Sequence, residues 1–92
     1  MTQAQLLRTD GSHENITPKN GKTFKFVGEA YDLIGARMIQ ICYTHDGRLL
    51  LVDEEGKLTG KPINVAATAL YAYGAVDPIV GDAIVCDTHQ LT

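Results

Sequence analysis

The chain has 92 residues, 45% of them apolar, and a formal charge of −3. That length holds one domain with one modest core, and the apolar share excludes a wholly disordered chain. The weakly acidic balance lacks the basic footprint of nucleic-acid binding, so no DNA or RNA partner is expected, and no apolar run in the sequence is long enough to cross a bilayer.

The start, Met1-Thr2-Gln3-Ala4-Gln5, has no basic region followed by an apolar run, so no secretory leader and a cytoplasmic location are expected. Leu6 and Leu7 lie in a polar setting between Gln3 and Thr9, and Asp10-Gly11-Ser12 is a turn signal. Glu14 to Thr17 reads as the return strand of a hairpin, which Pro18 ends because proline cannot donate to a ladder. Lys19-Asn20-Gly21-Lys22-Thr23 is a basic loop, and Phe24 and Phe26 alternate around Lys25 as a short extended piece. From Val27 the spacing turns helical: Val27, Ala30, Tyr31 and Ile34 share a face, with Gly35 as the stop.

Met38 to Tyr43 is strand-like, with Ile39, Ile41 and Tyr43 on one face and Met38, Gln40 and Cys42 on the other. Asp46-Gly47 follows, the strongest short hairpin signal, and predicts a type I′ turn. The return strand Arg48 to Val52 is apolar on both faces through Leu49-Leu50-Leu51-Val52, as a central covered strand would be. Asp53-Glu54-Glu55-Gly56 turns the chain. After the loop Lys57 to Pro62, Asn64 is a good N-cap for a helix carrying Val65, Ala66, Ala69, Leu70 and Tyr73, with Gly74 as its end. Asp77-Pro78 and Gly81-Asp82 are turns, Ala83 to Cys86 is the last strand, and residues 87–92 read as a loose tail. The order strand, strand, helix, strand, strand, helix, strand predicts a single α+β domain. Its sheet is mainly antiparallel, of about five strands, with two short helices.

Chemistry is sparse in this pattern. Gly21-Lys22-Thr23 has the tail of a phosphate-binding loop, but Ile16 stands where its first glycine belongs. Pro62 stands where the segment Gly56 to Lys61 would need serine or threonine. His13, His45 and His89 have no ligand spacing, so no metal site and no cofactor are expected. Cys42 and Cys86 lie in apolar strands and read as core thiols. Cys42 with His45 could be called a pair, but the first lies in a strand interior and the second at a hairpin tip, so no Cys/His catalyst is expected, and Asp53, Glu54 and Glu55 read as a solvated turn. What remains is a possible anion site: Lys19 and Lys22 in a loop with Lys25, and Lys57 and Lys61 ahead of the Asn64 helix start. A small core also favours self-association, so a homo-oligomer is expected.

Asp46-Gly47-Arg48-Leu49-Leu50 and Asp53-Glu54-Glu55-Gly56-Lys57-Leu58 form a wording of their own. So do Pro62-Ile63-Asn64, Ala67-Thr68-Ala69-Leu70 and Asp77-Pro78-Ile79-Val80-Gly81-Asp82. Together they resemble a family of small uncharacterised proteins, defined as a domain of unknown function. That family occurs in phages, conjugative plasmids and other bacterial mobile elements. The resemblance implies a mobile-element protein in a bacterial cytoplasm. With no catalytic set in the sequence, the expectation is a non-catalytic binding protein. It would hold a host protein or sequester a small anionic ligand, such as a nucleotide immune signal, against host defence. The alternatives are a small metal-dependent nucleotide hydrolase using the Asp53–Glu55 turn, and an accessory subunit of a larger complex.

Overall fold

The computed structural model describes residues 4–91. Gln3 and Thr92, which the sequence reading placed in the first strand and the tail, lie outside these residues, as do the side chains of Phe26 and Val27. Five strands form one antiparallel sheet: β1 (Ala4–Leu7), β2 (His13–Ile16), β3 (Ile39–Tyr43), β4 (Leu49–Asp53) and β5 (Ala83–Cys86). Two short helices, α1 (Tyr31–Ile34) and α2 (Val65–Leu70), complete the α+β domain. The sheet order is β2-β1-β5-β4-β3, so the first hairpin and the second are joined by the last strand between them.

Alternation along the central strands builds a core on each face. Leu6, Leu49, Leu51, Ile84 and Cys86 point to one side, where Phe24, Ala30 and Ile34 cover them with Leu91 packed alongside. Leu7, Leu50, Val52, Ala83 and Val85 point to the other, under Ala67 of α2 and Ile79, with Leu70 and Tyr71 beside them. Every residue of β4 is buried, as its unbroken apolar run requires.

Four local readings need correction. Phe24 to Phe26 is no strand: Phe24 is fully buried and makes a single parallel bridge to Leu91. A wide turn follows, in which the Ala30 N–H reaches the Lys25 carbonyl at 2.9 Å, and Gly28 takes φ 89° before α1 begins. The turn at Asp46-Gly47 is not type I′, because no described non-glycine residue has positive φ. The Gly47 N–H donates to the Thr44 carbonyl at 3.1 Å and Gly47 alone is left-handed, a type I turn with a glycine bulge. Thr44 favours this form: its hydroxyl donates to the Asp46 carboxylate and accepts from the Arg48 N–H at 2.9 Å.

Helix α2 stops at Leu70, short of Tyr73, and Tyr71 bridges to Thr44. Of the residues expected as a loose tail, the described ones, 87–91, are ordered by a local turn, with Gln90 and Leu91 turned inward. Thr88–Gln90 form a 3-10 turn closed by a reciprocal cap between Asp87 and Gln90, and Gln90 is buried. The apolar contact of Leu91 with the core outweighs the fraying expected of a terminus.

Candidate functional site

The lysines of the proposed anion site have separate fates. Lys61 reaches back to the sheet, with its ammonium 2.5 Å from the buried Asp53 carboxylate and 2.9 Å from the Gly35 carbonyl. Lys57 pairs with Asp77. Asn64 is fully buried and fully bonded. Its Oδ1 accepts from the Ala67 N–H at 3.0 Å, and its Nδ2 donates to the Leu7 and Gly81 carbonyls, each at 2.9 Å. It caps α2 as the sequence indicates, and it also fastens the helix start to the end of β1 and the Gly81 turn. Helix α2 has six residues, so its aligned dipole is short, and Asn64 already occupies the amide where an anion would sit. The structure does not bring Lys57, Lys61 and Asn64 together as an open anion cradle.

The loop from Lys19 to Lys25 is different. Lys19, Lys22 and Lys25 form no ion pair among the described residues. Asn20 folds the loop on itself, accepting from the Lys22 and Thr23 N–H groups, each at 2.8 Å. The Gly21 N–H closes a turn onto the Pro18 carbonyl at 2.8 Å. Glu29 anchors the loop at both ends. Its carboxylate is buried and accepts from the Lys19 N–H at 2.7 Å and the Lys25 N–H at 3.1 Å. Sequence reasoning passed over Glu29. Its only signal is an acid in an otherwise apolar turn between Phe26 and Ala30.

Lys19, Asn20, Lys25, Gly28 and Glu29 line a cleft of about 400 Å³. A second cleft of about 390 Å³ shares Lys19, Gly28 and Glu29 and runs on between the edge strand β2 and α1, past Glu14, Asp32 and Leu33. The combined groove has a basic end, at Lys19 and Lys25, and another end at Asp32 and Glu14, the latter paired with Arg8. Lys22 lies elsewhere, beside Thr23, His89 and Gln90 in a cavity of about 330 Å³. Of the five residues expected to bind, the groove takes Lys19 alone, and it adds Lys25.

The acidic turn is occupied by the fold. Asp53 Oδ1 accepts from the Glu55 N–H at 2.9 Å while its other oxygen faces Lys61, and Glu55 lies 3.6 Å from Arg37. Among the described residues no three His, Cys, Asp or Glu side chains converge in a way that could hold a metal ion. Cys42 and Cys86 are buried free thiols. Burial pushes the Cys42 thiol up, against a lowering by the Tyr71 hydroxyl, and pushes Cys86 up to about 11. A thiol held neutral in this way is a poor nucleophile. His45 stands exposed in the hairpin turn, whereas Cys42 is buried in β3.

Compared with known proteins, residues 9–91 match the family model described as a domain of unknown function, DUF3846. No curated protein and no solved structure matches the chain.

Proposed function

The chain belongs to the DUF3846 family, and from that premise we propose that it is a non-catalytic binding protein for a small anionic ligand. The observation that carries this reading is the pair Lys19 and Lys25, two cations that form no ion pair among the described residues, on one cleft of about 400 Å³. That size falls in the range of small-molecule sites. Glu29 fixes the loop backbone through the main-chain amides of Lys19 and Lys25, so both side chains leave from anchored positions. Gly28 leaves that wall of the cleft without a side chain. The reading extends to a nucleotide immune signal as the ligand and its sequestration as the purpose, on the motif wording between Asp46 and Asp82 that resembles phage and plasmid proteins. Asp32, at the other end of the groove, supports selection for a nucleotide with a base-side amino group over a bare phosphate.

The hydrolase reading has less support, because Asp53 is already paired with Lys61 and bonded to the Glu55 amide. The test is a thermal-melting screen with bacterial nucleotide second messengers. A bound nucleotide raises the midpoint by mass action, and the rise is absent in Lys19→Glu/Lys25→Glu. Denaturing the complex returns the nucleotide chemically intact. No rise with any nucleotide, or recovery of an altered one, overturns the proposal.

A further inference from the structure

The two edges of the sheet are unlike. The outer strand β2 carries His13, Glu14 and Asn15 and runs into Thr17-Pro18, so charge and a proline guard it against pairing with another chain. The outer strand β3 has no such guard. From Met38 to Tyr43 it holds no charged residue, no proline and no glycine, and it leaves Met38, Ile41 and Tyr43 exposed.

The ladder with β4 fixes which of its backbone groups face outward. The Glu54 N–H donates to the Met38 carbonyl at 3.0 Å, and the Thr44 N–H donates to the Arg48 carbonyl at 3.0 Å. With Ile39 opposite Asp53 and Tyr43 opposite Leu49, the antiparallel alternation points the N–H and C=O groups of Gln40 and Cys42 toward β4. Those of Ile39 and Ile41 point away from it, at an edge with no strand beyond. The Tyr43 carbonyl is taken: the Ala72 N–H donates to it at 3.0 Å, so the chain itself closes the edge at that end.

We propose that β3 is the interface between two copies of this chain, which pair antiparallel edge to edge with Ile39 of each copy opposite Ile41 of the other. The register follows from the occupied carbonyl. Centring the pair on Ile41 would drive Ile39 of the second copy against Tyr43, where Ala72 already stands. Centring it on Gln40 lets Ile39 and Ile41 of each copy exchange both bonds with Ile41 and Ile39 of the other. This arrangement is two-fold symmetric and self-complementary. It places isoleucine on isoleucine on one face of the continued sheet and opposes no like charges. The same pairing through β2 would have to fit the Arg8–Glu14 ion pair and the Pro18 end of the strand into the seam.

The pairing predicts a dimer whose mass is read by light scattering on the full chain across a concentration series. Ile41→Pro removes an outward N–H without touching the ladder to β4, so the fold survives and the dimer is lost. Ile41→Lys, at a position already partly exposed, also yields a monomer through charge beside the seam. Gln40 of each copy lies opposite Gln40 of the other in a non-hydrogen-bonded pair, a separation a disulfide spans. Gln40→Cys under mild oxidation therefore gives a covalent dimer. A wild-type monomer at every concentration overturns the proposal. So does a dimer that survives both Ile41 changes and yields no cross-link through Gln40→Cys.

Discussion

Asn64 joins β1, the Gly81 turn and the first turn of α2 through one buried amide. Asn64→Ala leaves the Ala67 N–H without its acceptor, withdraws a donor from the Leu7 and Gly81 carbonyls and removes a cap, at a cost of about 3 kcal/mol. Asn64→Asp keeps the cap acceptor but sets a carboxylate against the Leu7 and Gly81 carbonyls. Urea midpoints therefore fall in the order wild type, Ala, Asp. The pair Lys61–Asp53 obeys a different rule, since a buried charge left alone is worse than no charge at all. Lys61→Ala strands Asp53 and costs about 3 kcal/mol. The double change Lys61→Met/Asp53→Asn removes both charges, keeps the oxygen that accepts from the Glu55 amide, and unfolds at a higher urea midpoint than Lys61→Ala. An equal or lower midpoint for the double variant shows that the pair is not coupled. Asn64 was legible in the sequence as a cap. Its two donations were not, because both partners are distant main-chain carbonyls.

At the scale of elements, the hairpin strands and both helices follow from periodicity, whereas the start of α1 and the C-terminal end of α2 do not. Gly74 marks the end of helical spacing in sequence, which suggests a left-handed stop, yet the helix ends at Leu70 and Gly74 does not have positive φ. Glycine is required there for another reason: a Cβ would stand 1.9 Å from the Thr68 carbonyl oxygen. Gly74→Ala forces the turn after α2 away from the helix and lowers stability by about 3 kcal/mol, the upper end of what overpacking costs. Gly35 is the contrasting case. It ends α1 at φ 67° with open space around its Cβ position, so Gly35→Ala costs only about 1 kcal/mol of left-handed strain. Chemical denaturation of the two variants side by side separates a steric glycine from a conformational one. Helix α2 stops early because Tyr71 finds a bridge to Thr44, and no local propensity encodes that pairing.

For the whole molecule, the two faces of one sheet share the burden of burial, and the thiols report on both. Cys86 lies in one core and Cys42 in the other, so neither reacts with an aromatic disulfide reagent until the sheet unfolds. Burial raises the Cys86 thiol from 9.0 to about 11, so between those values the unfolded chain releases a proton that the folded chain keeps. Stability contributed by the neutral thiol is full below pH 9 and falls as the pH rises toward 11. Cys86→Ala removes this alkaline loss, read as a flatter melting midpoint between pH 9 and 11. The basic groove end and the open β3 edge lie at opposite margins of the sheet, so ligand capture and pairing are separable by mutation. The sequence by itself determined the order of elements, the central place of β4 and the cap at Asn64, because period and cap chemistry act over a few residues. Only the tertiary structure decided which lysines are free, that Glu29 anchors the basic loop, that the C-terminal residues pack, and which strand edge stays open. Those outcomes depend on contacts between residues far apart in the chain, which local patterning cannot rank.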